Sequence, residues 1–226
     1  MRNHLIAMNI FWIFSSLAAC SSPQAPRTDP GRLRPGDLVF QRLRCGDLCE
    51  AIHRATRMSG VPVVSHVAVV ERVDGKKVTL IEAYDRGVAR VELAELARRS
   101  SGARSRGDGP AWIAARLKAP HDALVPFFLE ELRARLGKPY DPLFLPDNDA
   151  YYCSELVSDA LLSLGVRIFP RIAMNFGAPG SWEMGVWEKY YLQHRMSVPQ
   201  GHPGTNPNQL LSSPHLERLP FDGPEH

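Results

Sequence analysis

The sequence predicts an α+β domain in which an antiparallel sheet is packed with helices. Three apolar segments follow one another with only short turns between them, and they lie at 62–72, 77–84 and 87–91. One helix is predicted before these strands, and several helices are predicted after them. This order favours an antiparallel sheet over a doubly wound parallel sheet, in which strands and helices alternate along the chain.

The remaining elements follow from apolar spacing and from turn residues. Leu48, Ile52 and Ala55 recur at helical spacing in the first helix, and Gly137 and Gly165 end two of the later ones. We predict further strands at Leu38–Gln41 and Trp112–Leu117. We predict helices at 45–58, 92–99, 121–136, from Cys153 to Gly165, and over 180–195.

The composition is that of a globular protein. Of the 226 residues, 44% are hydrophobic, which is too many for a disordered chain. The net charge is +3, with positive and negative residues mixed along the chain. Because no basic run is interleaved with aromatic residues, we expect no nucleic acid among the partners.

The N-terminal residues carry the pattern of a secreted, lipid-anchored protein. The apolar run Leu5–Leu17 is too short to span a bilayer as a permanent helix, and it follows a positive charge, Arg2. The run leads into Leu17-Ala18-Ala19-Cys20, which resembles the bacterial lipobox, where the cysteine is lipidated and becomes the mature N-terminus. A plain signal peptide followed by an incidental cysteine is the alternative.

We therefore divide the chain into four segments. They are a lipoprotein signal peptide at 1–19, a flexible tether at 20–32, a folded domain at 33–220 and a frayed tail at 221–226. Ser21, directly after the cysteine, resembles the signal for sorting to the outer membrane. We expect the domain to face the periplasm, held to the membrane through a lipidated Cys20.

His66 and Glu82 are polar residues inside two apolar strands. Taken alone, His66 is most simply an ordinary core histidine, but a buried carboxylate such as Glu82 requires a partner. A three-residue loop, Val73–Gly75, with Gly75 at positive φ, places His66 directly opposite Glu82. A two-residue Asp74–Gly75 turn instead places His66 opposite Ala83, with Glu82 on the other face.

Cys153 stands at the predicted start of a helix, away from the apolar face that its later residues form. A helix N-terminus and a nearby imidazolium both favour a thiolate, and the backbone amides there can hold an oxyanion. Cys153, His66 and Glu82 together supply the nucleophile, base and orienter of a cysteine hydrolase. A buried, inert cysteine is the alternative. The hydroxyl of Tyr140, Tyr151 or Tyr152 could complete the oxyanion site, and the sequence does not choose among them.

Cys45 and Cys49 have three possible roles. We expect two small buried thiols on a helix, with a local disulfide as an alternative in an oxidising compartment. A third possibility is a metal site with His53, although this spacing is not a standard zinc pattern.

Several motifs occur in an order that resembles a known family. They are Gly36–Gln41, Ser65-His66-Val67, Ile81-Glu82-Ala83, Gly137–Asp141 and Tyr152–Val157. Together they resemble the circularly permuted NlpC-type papain-like hydrolases of the YiiX/YebB-like branch, over roughly 33–220. In ordinary papain-like enzymes the nucleophile precedes the histidine, whereas here His66 precedes Cys153, as in the permuted branch.

The resemblance implies a papain-like fold and a triad of Cys153, His66 and Glu82, with no metal or organic cofactor. It implies a peptide or acyl-amide substrate, so we expect an amidase or peptidase acting in cell-envelope or peptidoglycan metabolism. An acyltransferase or thioesterase with the same triad, and a lipid- or peptide-binding module without turnover, are the alternatives. The Pro-rich segment 142–149 and the two extra cysteines depart from the family pattern.

Overall fold

The structure is a computed structural model that describes residues 30–100 and 112–220. In chain order its elements are β1 (Leu38–Gln41), α1 (Asp47–Ala55), β2 (His66–Asp74), β3 (Lys77–Tyr84), β4 (Gly87–Glu92), α2 (Leu93–Ser100), β5 (Ile113–Leu117), α3 (Val125–Ala134), α4 (Cys153–Ser163), β6 (Ile172–Ala173), α5 (Trp182–Gln193), β7 (Pro203–Gly204), α6 (Pro207–Leu211) and β8 (Leu216–Arg218). Short 3-10 turns at Pro30–Arg32 and His121–Leu124 complete the set.

Six of these strands form one sheet in the order β4-β3-β2-β1-β5-β8, and all neighbouring pairs are antiparallel. The predicted α+β class is therefore confirmed. β2 lies between β1 and β3, and its alternating side chains serve two cores. Val67 and Val69 pack with α3 and α4, whereas Ala68 and Val70 pack with α2 on the opposite face.

A third layer lies beside the sheet, where α1 packs against α5. Its core joins Ala51 of α1 to Trp187 and Tyr191 of α5, with Phe176 from the preceding loop. The rings of Phe176 and Trp187 meet edge to face with their centroids 5.0 Å apart. This layer is therefore held by aromatic packing, which is specific in its geometry.

The long elements overlap their predicted ranges, although β2 begins at His66 rather than at 62 and α1 spans Asp47–Ala55 rather than 45–58. The short elements differ more. The helix expected over 121–136 begins as the 3-10 turn His121–Leu124 and continues as α3, whose first turn contains a proline. The segment 166–220 adds α6 and three strands that the sequence did not predict. Elements of two to five residues are too short to carry a hydrophobic period.

The predicted signal peptide, Cys20 and most of the predicted tether, together with the predicted tail, lie outside the described residues. Within residues 30–100 and 112–220, none of the helices combines the length and the apolar character needed to cross a membrane.

The turn between β2 and β3 differs from both of the predicted turns. Asp74 pairs with Lys77, so the connection is the two-residue turn Gly75–Lys76. Gly75 adopts a φ of 57°, which confirms its predicted left-handed conformation. Neither the loop Val73–Gly75 nor the turn Asp74–Gly75 is formed.

A β-bulge at Glu71 shifts by one residue the register that this turn sets between β2 and β3. Arg72 pairs with Thr79, whereas Val70 pairs with Leu80, so Glu71 is the extra residue. Beyond the bulge Val69 pairs with Ile81, and this register, continued by one residue, places Ala68 opposite Glu82. The prediction that His66 lies directly opposite Glu82 is therefore wrong, because the two residues are diagonal neighbours.

The bulge nevertheless decides which face Glu82 occupies. Without the extra residue, the register of the turn would pair Glu82 with Val69, and its side chain would leave the face that carries His66. Glu71 itself is held from two elements. Its carboxylate accepts hydrogen bonds from Nε of Arg90 at 2.7 Å and from Nε of Arg133 at 2.8 Å. The hydrogen bonds from Arg90 first and then Arg133 outweigh burial and lower the pKa of Glu71 to about 2.

Candidate active site

Cys153 is the first residue of α4 and the one free cysteine of the described residues. It is buried, with 8% of its surface exposed. The start of the helix is tied to the loop before α6. The amide of Thr205 donates to Oη of Tyr152 at 2.9 Å, and the hydroxyls of Thr205 and Ser154 are 3.1 Å apart. The thiol is thus fixed at a helix N-terminus, as the sequence predicts.

His66 is the first residue of β2, and only 2% of its surface is exposed. Its Nε2 donates to Oε2 of Glu82 at 2.6 Å, and Cys153 lies near enough to the ring to influence its pKa. Because Nε2 is occupied, Nδ1 is the nitrogen left for the thiol. Burial alone would lower the pKa of His66, but its interactions with Cys153 and Glu82 outweigh burial and raise the pKa to about 9. The imidazole is therefore charged at neutral pH.

Glu82 has a second partner that the sequence analysis missed. Nη2 of Arg99, near the end of α2, donates to Oε1 of Glu82 at 2.6 Å. Burial raises the pKa of Glu82, but the partners His66 and Arg99 outweigh it and lower that pKa overall. The guanidinium also stacks on the ring of Tyr84, 4.4 Å from its centroid. The sequence indicates that a buried Glu82 requires a partner, but nothing in the sequence identifies Arg99, which lies on a separate helix, as that partner.

Cys153 and His66 open into a cavity of about 350 Å³. Its lining is mainly apolar and includes Leu48, Ile52, Phe144, Met174, Phe176 and Trp187. Among its lining residues only His66 and Asp85 belong to types that carry a charge at neutral pH or near it. The cavity therefore favours a substrate with an apolar part.

Cys45 and Cys49 form a disulfide, and both residues line this cavity. The expectation of two thiols is therefore wrong. Cys45 also lies before α1, which begins at Asp47, so the helical row with His53 does not exist. His53 instead forms hydrogen bonds with Arg42 and Ser65.

The three tyrosines that could complete the oxyanion site have different environments in the structure. Tyr151 stacks against Arg135 and does not line the cavity. Tyr152 lines it, but its oxygen is engaged by the amide of Thr205. Tyr140 lines the cavity, and burial followed by the proximity of Cys153 raises its pKa well above the ordinary value. Its hydroxyl therefore keeps its proton, and Tyr140 is the best candidate of the three for a donor in the cavity.

Glu155, in the first turn of α4, is 3% exposed and carries an oxygen, Oε2, without a hydrogen-bond partner among the described residues. Burial, followed by the negative charges of Asp159 and Asp141, raises its pKa to about 8, against the opposing effect of Arg171. The folded protein therefore holds a proton on Glu155 that the unfolded chain loses near its ordinary pKa of 4.5. This group contributes stability below that pH, and the contribution is lost as the pH rises through about 8.

We predict that Glu155→Gln raises the melting temperature at about pH 8.5 but changes it little at about pH 5. The expected rise is a few degrees, because about 1 kcal/mol corresponds to roughly 2–4 °C in a chain of this size. Differential scanning calorimetry at the two pH values measures it. Glu188→Gln, at an exposed position of α5, is the matched control. An equal shift at both pH values would show that the buried carboxyl is not the titrating group.

A solved structure shares this architecture. It is described as the metalloprotein YiiX from Escherichia coli O157:H7, and it superposes with a TM-score of 0.65 at 21% sequence identity. The match covers 89% of this chain and 100% of that one, and at this identity it establishes a common fold. In the part of this chain that the structure describes, no three His, Cys, Asp or Glu side chains are grouped so that they could hold a metal ion.

No curated protein matches the sequence. A family model does match, over residues 32–220, and its family is described as the permuted papain-like amidase enzymes YaeF/YiiX, C92. This range includes the cysteine, the histidine and the glutamate that the fold brings together. The chain thus belongs to the permuted papain-like amidase family C92 and is a thiol-dependent hydrolase.

Proposed function

We propose that this protein is a lipid-anchored amidase of the bacterial cell envelope, with Cys153 as nucleophile, His66 as acid and base, and Glu82 as orienter of the imidazole. The observation that carries the proposal is that Cys153 and His66 meet at the wall of an apolar cavity, where His66 is hydrogen-bonded to the buried carboxylate of Glu82. These contacts match the roles that a cysteine hydrolase requires.

The reaction follows from these contacts in two steps. The thiolate of Cys153 attacks the carbonyl carbon of the amide, the C–N bond breaks, and the imidazolium of His66 gives its proton to the leaving nitrogen. Neutral His66 then takes a proton from water, whose oxygen attacks the thioester and releases the acid. Glu82 holds the ring by Nε2 and stabilises its charged form throughout.

The developing oxyanion requires donors on the side of the carbonyl opposite the base. The amides at the start of α4 point in the direction of the helix N-terminus, where a negative charge is stabilised. Tyr140 lines the same cavity, and its hydroxyl is proposed as a further donor. Neither group changes its own protonation during the reaction, so both are preorganised.

The substrate class is argued from the lining of the cavity. An apolar volume of about 350 Å³ accommodates an aliphatic acyl chain or an apolar peptide side chain. We therefore propose an acyl amide or a peptide with an apolar residue next to the scissile bond. Incubating the protein with muropeptides and with N-acyl amino acids, and reading the products by mass spectrometry, tests this proposal.

Two alternative functions, an acyltransferase and a binding module, are distinguished by further assays on the same protein. If added amines or lipids compete with water for the acyl group, the protein is an acyltransferase. If iodoacetamide labels Cys153 near neutral pH and a ligand slows the labelling without any product, the protein is a binding module. Hydrolysis of an amide that depends on Cys153 supports the amidase.

The membrane attachment rests on Leu17-Ala18-Ala19-Cys20 alone. We predict that cells grown with radioactive palmitate incorporate label into the protein and that Cys20→Ser abolishes the incorporation. Two or more acyl groups on the new N-terminus would hold the protein at a membrane far better than one. Cys45→Ser is the control, because it removes a cysteine without altering the lipobox. A Cys20→Ser protein that still takes up label refutes the anchor.

A further inference from the structure

Ser65 lies next to His66 and lines the same cavity, although neither the triad nor the oxyanion site uses it. It is buried, with 7% of its surface exposed. Its Oγ accepts a hydrogen bond from the amide of Leu43 at 2.9 Å and lies 3.0 Å from Nε2 of His53. The direction of the second contact decides where the hydroxyl hydrogen points.

The tautomer of His53 fixes that direction. His53 is 2% exposed, and Nε of Arg42 donates to its Nδ1 at 3.2 Å. Nδ1 is therefore an acceptor, and in the neutral ring the hydrogen must sit on Nε2. Burial, followed by the charge of Arg42, lowers the pKa of His53, so the ring is neutral near pH 7. His53 consequently donates to Ser65.

A hydroxyl has one hydrogen to donate and two positions at which it accepts. In Ser65 both accepting positions are filled, by the amide of Leu43 and by His53, while the hydrogen has no protein acceptor in the described part of the chain. We propose that Ser65 donates this hydrogen to an oxygen atom of the substrate in the cavity, and so selects substrates that carry a second hydrogen-bond acceptor besides the scissile carbonyl. This inference rests on the proposed amidase function and makes Ser65 a substrate-binding residue.

A different interpretation of the same residues is a second nucleophile. Ser65, His53 and Glu50 have the order of a serine hydrolase triad, with Oε2 of Glu50 3.5 Å from Nδ1 of His53. That chemistry needs the hydrogen on Nδ1, so that Nε2 can accept the proton of the hydroxyl. The shorter hydrogen bond from Arg42 to Nδ1 opposes this tautomer.

The tautomer is measured directly by 15N NMR of the histidine rings in the purified protein. Two-bond correlations distinguish Nε2–H from Nδ1–H, and the His53 signals are assigned by their loss in His53→Gln. We expect Nε2–H in the wild-type protein. Detection of Nδ1–H would mean that Ser65 donates to His53 instead, and the proposal would be overturned whether or not any substrate is known.

The contact with substrate is tested with three amides of matched shape. N-octanoyl-propylamide has no second acceptor, N-octanoyl-glycinamide has one on the leaving group, and N-pentanoylglycyl-propylamide has one on the acyl group. We expect Ser65→Ala to lower kcat/KM for one of the last two by about threefold to tenfold, the effect of one hydrogen bond, and to leave the first within about twofold. Protection of Cys153 against iodoacetamide replaces turnover where a probe binds without being cleaved.

Ser65→Thr keeps the hydroxyl and should restore the preference. An equal loss on all three probes, or no loss on any, contradicts the proposal. Failure of the amidase function itself has a different signature, because none of the probes would then be hydrolysed, whether or not they protect Cys153, while the tautomer of His53 would still be Nε2–H.

Discussion

Replacement of Cys153 by alanine is expected to reduce amide hydrolysis by a factor on the order of 10⁴–10⁶, because the proposed mechanism forms its covalent intermediate on this thiol. Removing His66 should cost a similar factor, since the members of a triad act as a unit. The fold should persist in the Cys153 variant. Its thiol lies at the edge of the core, at the first position of α4, and the packing of the helix comes from Leu156, Ala160 and Leu161.

Cys153→Ser is the matched control, because it preserves shape and hydrogen bonding while supplying a poor nucleophile. Both variants should melt within a few degrees of the wild type, and both should lose turnover of whichever amide the wild type cleaves. Mass spectrometry should show a trapped acyl-enzyme in the wild type and in neither variant. Retained turnover in Cys153→Ala would exclude the mechanism and leave the cavity to other chemistry.

The parts of this site that the sequence predicts are those set by local patterns. Burial of Glu82 among apolar residues requires a partner, and the alternation of β2 places His66 on one face. The bulge at Glu71 has no comparable signal. Its extra residue is stabilised by Arg90 and Arg133, which come from another strand and from a helix. The contact between His66 and Glu82 was therefore predicted correctly, but from a strand register that the structure does not have.

Arg99 and the Cys45–Cys49 disulfide are two further features that local sequence patterns could not predict. The position of Arg99 depends on how α2 packs against β3 and β4, which is a tertiary result. The spacing of Cys45 and Cys49 fits a helix row as well as a disulfide, and only the start of α1 after Cys45 separates the two. Patterns of this length set secondary structure, while partners across elements are set by the fold.

Glu82→Gln is expected to shift the pH dependence of the enzyme as well as its rate. The carboxylate of Glu82 helps to hold the pKa of His66 at about 9, against burial, which lowers it. A glutamine still accepts the hydrogen bond from Nε2, but it carries no charge. The pKa of His66 should therefore fall, and the decline of kcat at alkaline pH should begin at a lower pH than in the wild type. The loss of rate should be smaller than in Cys153→Ala, at about 10²–10⁴-fold.

The same substitution should change stability in a defined window. His66, with its pKa raised from 6.5, contributes stability that is complete below that value and lost as the pH rises through about 9. Glu82, with its pKa lowered from 4.5, contributes stability that is present above that value and lost as the pH falls through its folded pKa. The difference in melting temperature between wild type and Glu82→Gln should therefore be largest from about pH 5 to 6.5, should decline above that range and should be small above about pH 9.

Arg99→Met tests whether the interaction of Glu82 with Arg99 matters apart from the charge of Glu82 itself. It removes the hydrogen bond to Oε1 and the stacking on Tyr84 while leaving the carboxylate on His66. We expect a smaller fall in kcat than in Glu82→Gln and a smaller displacement of the alkaline limb, with exposed Arg218→Met as the control. If Glu82→Gln lowers the rate without moving the alkaline limb, the carboxylate positions the imidazole but does not set its charge. Cys153 would then be the partner that keeps His66 protonated.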